Sequence, residues 1–176
     1  MASQIKVNEI IKQSGSSISI GESGDAITLT GSTVTMPSDA TLTNFPANTP
    51  AWAVTMNGNQ SGLSQNAHTL VEMDTTLLDT DNAYTNTSGN YKFTVPSGKS
   101  GTYVIGALLY CNTSTVSQFR VQIYKNGSRI GRMNVNDGSN PVYPSAMINI
   151  VDIASAGDYY QCYSYNNVSG GVTLYG

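Results

Sequence analysis

Short runs of alternating apolar and polar residues recur along the chain, and stretches rich in Gly, Ser and Asn separate them. An apolar residue at every second position is typical of a strand with one buried face, and the separating residue types favour turns. The run at 102–111 is almost continuously apolar, which predicts a strand buried on both faces. Seven to nine short strands are predicted after residue 50, at 51–56, 68–73, 91–96, 102–111, 119–124, 129–135, 142–153, 158–167 and 171–176.

Short strands at this spacing, with no helical period between them, predict an all-β sandwich or jelly roll. The spacers at 57–66 and 74–90 are polar, and we expect them to be loops. The dipeptide Asn126-Gly127 between two alternating runs predicts a tight hairpin turn.

Residues 14–44 form an imperfect repeat, in which a Ser/Gly turn precedes an apolar-x-apolar pair. Each pair is too short to bury its face alone, so it is expected to stack on itself or on other copies of the chain. Three chains around an axis would form a narrow β-prism. The alternative is a flexible linker, but linkers lack regular apolar pairs. The predicted stalk core consists of Ile18, Ile20, Ile27, Leu29, Val34 and Met36.

The first residues have too little apolar surface to fold alone, so they are predicted to be an arm that docks on a partner. The apolar positions of this arm are Ile5, Val7, Ile10 and Ile11. Pro46 and Pro50 interrupt any strand ladder further on. The predicted organisation is an attachment arm at 1–13, a β-repeat stalk with its linker at 14–49, and a globular knob at 50–176.

Composition narrows the class of protein. Charged residues make up 11% of the chain and the formal net charge is −3, whereas an ordinary globular chain carries roughly 25% charged residues. This balance argues against a nucleic-acid partner, because such binding depends on Lys and Arg. No stretch reaches the roughly 20 apolar residues of a membrane span, and no signal peptide is recognised. We therefore expect a surface-type protein that is made in the cytoplasm and released by lysis, as virion proteins are.

Several motifs after residue 50 are similar to those of one jelly-roll family. They are PAWA (50–53), HTLVEM (68–73), YKFTVP (91–96), GTYVI (101–105), VQIYKNG (121–127) and GDY (157–159). Together they resemble the C1q/TNF-like jelly-roll domain, although TLYG (173–176) departs from the Phe-rich last strand of that family. The resemblance implies a ten-stranded jelly roll that packs as a homotrimer. Residues 1–44 are similar to the openings of structural and tail-fibre-like proteins of marine tailed phages.

Candidate chemistry is sparse, so no catalytic residue is predicted and the chain is not expected to be an enzyme. His68 is the single histidine, and no Gly-x-Ser-x-Gly motif is present. Asp79 and Asp81 could bind Ca²⁺ with loop carbonyls, but they lack the Gly and Glu of an EF-hand. The preferred interpretation is a solvated turn, with calcium as the alternative and no other cofactor expected.

Basic residues and tyrosines form two further clusters. Half of the basic side chains fall on one predicted hairpin, which suggests a positive contact face made of Arg120, Lys125, Arg129 and Arg132. Tyr159, Tyr160, Tyr163 and Tyr165 are expected to line the core and the trimer axis, with a sugar-stacking surface as the alternative. Cys111 and Cys162 are predicted to be reduced thiols.

These observations predict a phage virion protein that forms a trimeric surface appendage. The arm would attach to capsid or tail proteins, and the knob would be exposed as a capsid decoration, head fibre or short tail fibre. The alternative is a lectin-like, carbohydrate-binding module that recognises host glycans.

Overall fold

Twelve β-strands form the secondary structure of residues 50–112, 118–135 and 144–176, which are the residues described by a computed structural model. No helix occurs within these ranges, so the all-β prediction is confirmed. The strands are β1 (Trp52–Thr55), β2 (Gln60–Leu63), β3 (His68–Leu70), β4 (Thr75–Asp79), β5 (Tyr84–Thr87), β6 (Asn90–Thr94), β7 (Gly101–Asn112), β8 (Phe119–Lys125), β9 (Ser128–Val135), β10 (Ser145–Ala154), β11 (Tyr159–Asn166) and β12 (Val172–Leu174).

Two antiparallel sheets pack against each other as a sandwich. One sheet has the strand order β10-β7-β12-β2, and the other has the order β5-β6-β11-β8-β9, with β3 also paired to β11. Apart from the consecutive pairs β5-β6 and β8-β9, neighbours within each sheet come from distant parts of the chain, as in jelly-roll-like sandwiches. The pair β1-β4 forms a third, two-stranded sheet.

Alternation of side chains explains how these strands enclose a core. In β7, Tyr103, Ile105 and Leu109 point inward, and in β8 Phe119 and Val121 meet them from the other sheet. These side chains are at most 5% exposed, which is the arrangement expected of strands that each bury one face. In β8 the inward apolar residues alternate with polar ones, so the local period of the sequence is sufficient to specify the inward face of that strand.

The predicted hairpin is also present, since β8 and β9 are joined by Asn126 and Gly127. Their φ angles are +50° and +77°. Asn and Gly tolerate this left-handed conformation at lower cost than other residues, and it matches the twist of the flanking strands.

Two sequence predictions are wrong. The spacers at 57–66 and 74–90 are not simple loops, because they contain β2, β4 and β5. Nor is β7 buried on both faces: in the isolated chain only its inward residues are covered. The predictions for the arm at 1–13 and the stalk at 14–49 lie outside the described residues.

Candidate interaction surfaces

A continuous apolar surface covers the outer side of the β7–β10 ladder. We call it the apolar face and define it by Val104, Leu108, Met147, Val151 and Ile153. These side chains are 70%, 59%, 60%, 70% and 78% exposed, respectively. Single exposed apolar residues are ordinary, but a contiguous group marks an interaction site or an aggregation risk.

Register places the members of this face directly beside one another. Val104 pairs with Val151, and Leu108 pairs with Met147. Between these two apolar rows lies the pair Gly106 and Asn149, where the Asn149 side chain covers the space that a Cβ at residue 106 would fill. The centre of the face is therefore flat and contains one exposed amide.

At one end, aromatic residues extend the apolar face. Tyr110 of β7 is 40% exposed, and its ring lies 5.5 Å from that of Tyr175, at an angle of 28°. The two rings continue the outer surface from β7 toward the chain end that follows β12. The patch therefore runs from Ile153 to Tyr175 without a charged side chain on its outward ladder positions.

The sequence contained a signal for this surface. In residues 102–111 and 145–154, both the odd and the even positions include large apolar side chains. The odd positions of β7 and the even positions of β10 face the sandwich core, whereas the remaining positions of both strands form the apolar face. The predicted second buried face is therefore exposed in the single chain.

The outer side of the opposite sheet is aromatic and polar instead. Tyr163 packs on Tyr124, with ring centroids 4.3 Å apart. Tyr165 lies between His68, at 5.1 Å, and the Arg120 guanidinium, at 4.3 Å. These contacts join β3, β11 and β8 and leave the tyrosine rings flanked by protein, which is unfavourable for stacking a sugar. Tyr160, by contrast, points into the core.

One side chain on this outer side is fully covered. Gln122 is 0% exposed, and its Oε1 lies 2.7 Å from His68 Nδ1. Within the described ranges its Nε2 has no hydrogen-bond partner. An unpaired buried amide is costly, so His68 is best interpreted as the residue that satisfies one half of this amide.

The predicted basic contact face is divided by the fold. Arg120 donates to Asn134 and to Gln118, in addition to its contact with a tyrosine ring. Arg129 and Arg132 lie on β9, where both are exposed. Lys125 is held in a separate network, so the four residues do not act as one free positive patch.

Lys125 joins the turn between β8 and β9 to strands β10 and β11. Its Nζ lies 2.8 Å from Asp152 and 3.1 Å from Asp158, and the Tyr160 hydroxyl donates to Asp152 at 2.6 Å. The bond with Asp152 raises the pKa of Lys125. A hydrogen bond from Asn126, reinforced by a backbone N–H and by Lys125, lowers the pKa of Asp158 to about 2. The network stabilises this end of the sandwich in its charged form.

The two candidate calcium ligands, Asp79 and Asp81, already have hydrogen-bond partners within the protein. Asp79 accepts hydrogen bonds from the N–H groups of Asp81, Ala83 and Tyr84 at 3.4, 3.0 and 2.8 Å. Asp81 accepts from the Thr80 hydroxyl and lies 3.8 Å from Lys99. These contacts explain both carboxylates as organisers of the turn between β4 and β5, and calcium remains the untested alternative.

Both cysteines are free thiols that line the interior. Cys111 belongs to the core of β7, and Cys162 borders an internal cavity. Burial raises the pKa of each thiol to about 12. At neutral pH both are therefore protonated and unreactive, because the thiolate is the nucleophilic form.

No protein-family model matches the chain, and no curated protein matches it. In the part of the chain that the structure describes, no helix is long and apolar enough to cross a membrane. Over the same ranges, no group of three or more His, Cys, Asp or Glu residues is placed to hold a metal ion.

Proposed function

We propose that the chain is the subunit of a homotrimeric appendage on a phage particle, with the knob exposed and the N-terminal arm attached to capsid or tail proteins. The apolar face is the observation that supports self-association. It is broad and carries no charge on its outward ladder positions, so two copies can approach it without electrostatic repulsion.

The apolar face is large enough to contribute substantially to the free energy of association. Full burial of one large aliphatic side chain contributes about 2 kcal/mol. Because the five side chains of the apolar face are on average about two thirds exposed, covering them offers about 7 kcal/mol. Association costs about 4–15 kcal/mol in lost translational and rotational freedom. The face can therefore offset much of this cost, and the aromatic pair at its end adds to the gain.

The resemblance to C1q/TNF-like domains supports a trimer over other assemblies, and the strand order is compatible with a jelly roll of that kind. Their jelly roll builds a sheet from strands distant in sequence, as β10-β7-β12-β2 does here. A surface location on a virion agrees with the low charge content and with the phage-like pattern of residues 1–44.

Sedimentation velocity of the full chain tests the assembly. We expect a species of three times 18.6 kDa at micromolar concentration. Val151→Asp should raise the protein concentration at which the trimer dissociates, with an unchanged circular dichroism spectrum, because this side chain is exposed in the single chain. Complete conversion to monomers is not required, because the predicted stalk can also hold three chains together. Leu77→Asp is the matched control: Leu77 lies on β4 and is 67% exposed, but it is not part of the apolar face. A monomeric wild-type chain, or a Val151→Asp trimer that resists dilution as well as the wild-type trimer does, would refute the proposed interface.

The location on the particle needs a separate measurement. A gel of purified virions should contain the chain, and its intensity relative to the major capsid protein distinguishes two positions. Many copies indicate capsid decoration, and few copies indicate a tail fibre. If the chain is missing from purified particles, the virion assignment is wrong even if the trimer is correct.

A further inference from the structure

One polar side chain lies at the centre of the apolar face. Asn149 of β10 and Gly106 of β7 form the middle pair of the ladder. An apolar pair lies on each side of it, Val104 with Val151 and Leu108 with Met147. Asn149 is exposed, as are the four apolar side chains around it. A surface that covers both apolar pairs must therefore also cover the amide between them.

Gly106 provides the space that the Asn149 side chain occupies. A Cβ at residue 106 would overlap Asn149 Oδ1 and would lie 3.4 Å from its Cγ. The ladder continues through this pair without a register shift, and Gly106 does not have a positive φ, so the backbone does not require a glycine here. A glycine in a strand interior often marks a place where another group approaches closely. Here it lets the amide lie low on the sheet, between the two apolar pairs.

The amide restricts which surface can cover this face. An exposed amide is hydrated, and a buried amide that is left unpaired is costly. The covering surface must therefore present both a hydrogen-bond donor and an acceptor opposite Asn149. A second Asn149 amide presents both, because each side-chain amide has an NH₂ donor and a carbonyl acceptor. The outward ladder positions of β7 and β10 carry no charge, so identical copies can approach each other without repulsion.

We propose that Asn149 fixes the register of the trimer by pairing with its own copies. This inference rests on the proposed self-association through the apolar face. In a closed three-fold assembly, a residue contacts both of its own copies only beside the axis, so the axis runs past Asn149. Each amide then donates an Nδ2–H to Oδ1 of one neighbouring copy and accepts from the other copy, which closes a ring of three hydrogen bonds.

The outward residues of β10 then form layers along the axis. Successive outward residues of a strand lie about 6.6 Å apart, so layers of Val151 and Met147 lie on the two sides of the amide ring. If one copy slid by one layer, its amide would meet an apolar layer and lose its hydrogen bonds. In coiled coils, a single Asn in an apolar seam specifies register and oligomeric state at a cost in stability. The same physical reason applies to the seam between these sheets.

Opposite charges at residue 149 of the full chain test whether this residue meets its own copies. The Asn149→Asp trimer and the Asn149→Lys trimer should each dissociate at a protein concentration about tenfold higher than the wild-type trimer does, because like charges meet at the axis. When the two variants are co-expressed, one of them with a tag, native mass spectrometry should find more mixed trimers than for tagged and untagged wild type.

The matched control places the same two charges outside the apolar face. Leu77 lies on β4 and is exposed, so co-expressed Leu77→Asp and Leu77→Lys should give the wild-type proportion of mixed trimers. If Asn149→Asp and Asn149→Lys also give that proportion, residue 149 does not meet its own copies and the inference is wrong.

A cysteine at residue 149 tests the three-fold ring separately. Both native cysteines line the interior, so Asn149→Cys supplies the accessible thiol. A disulfide requires close Cα atoms, so the oxidant diamide should link only copies that meet at this residue. A ring of three forms one disulfide and leaves the third chain unlinked, so a non-reducing gel should show at most two of every three chains as dimers. Complete linkage would indicate a two-fold contact, and linkage no greater than that of Leu77→Cys would indicate no contact. Either result would overturn the ring.

These outcomes separate the role of Asn149 from the trimer itself. A wild-type chain that sediments as a monomer refutes both. A wild-type trimer without preferential pairing of Asn149→Asp and Asn149→Lys refutes only the position of the axis. If Asn149→Asp changes the Tm but not the concentration at which the trimer dissociates, residues of the same chain cover the face, and a role of Asn149 in register is excluded.

Discussion

Trp52 anchors β1 to the core, and its removal offers a quantitative test of the packing. The indole ring stacks on Phe93 with a centroid distance of 3.7 Å and an angle of 6°, and it lies 6.4 Å from Tyr103. Phe93 and Tyr103 are only 1% and 2% exposed. Trp52→Ala would therefore uncover two core aromatic rings as well as lose the indole itself.

Loss of a buried Trp or Phe costs about 3–5 kcal/mol, and the aromatic pairing adds about 1 kcal/mol. Because Trp52 is only partly buried, we expect the lower end, about 3 kcal/mol. For a knob of this size, that loss corresponds to a decrease in Tm of about 10 °C.

The assay is thermal unfolding of the full chain, followed by far-UV circular dichroism at one fixed protein concentration, since association makes Tm concentration-dependent. Trp52→Phe keeps a stacked ring and should lose less than half as much. Leu77→Ala, on the neighbouring strand β4, replaces an exposed side chain and should change the free energy of unfolding by about 0.5 kcal/mol or less. A Trp52→Ala protein as stable as Leu77→Ala would show that β1 is not packed on the core in this way.

Three further predictions concern the loops that close the sandwich. Asn166 is 1% exposed and donates to the Leu63 carbonyl at 3.1 Å, so Asn166→Ala should lower the free energy of unfolding by about 2 kcal/mol in urea titrations. Gly171 has a φ of +80°, and a Cβ there would lie 2.5 Å from the Leu63 oxygen. Gly171→Ala should therefore cost about 2 kcal/mol in the same titration, and a neutral result would contradict this backbone geometry. Because Asn126 and its neighbours lower the pKa of Asp158 to about 2, the stability it contributes is present above the unfolded pKa of about 3.9 and is lost as pH falls toward 2. Asp158→Asn should be less stable at pH 7 and should flatten the dependence of Tm on pH between about 4 and 2; an unchanged slope would assign acid sensitivity to other groups.

The period-two pattern determined much of the fold, because a strand needs only local alternation to specify its buried side. The long strands β6 to β11 lie in or beside the runs predicted for them, and the Asn126-Gly127 turn follows from the conformations that these two residues tolerate. Parity also separates Tyr160, which points inward, from Tyr163 and Tyr165, which lie on the outer side.

Other elements depended on their partners in the tertiary structure. The segments of β2 and β4 carry little apolar alternation of their own. They are strands because β12 and β1 supply their ladder partners, and such pairing between distant segments leaves no local pattern. Asp79 is a local case instead, because its carboxylate accepts hydrogen bonds from three backbone N–H groups of the turn that directly follows it.

The candidate interaction surfaces were also predictable from the sequence only in part, and the tertiary structure decided the rest. The sequence has apolar residues of both parities in β7 and β10, so it indicates two apolar faces. Only the packing of the two sheets decided which parity fills the core and which forms the exposed face of Val104, Leu108 and Val151.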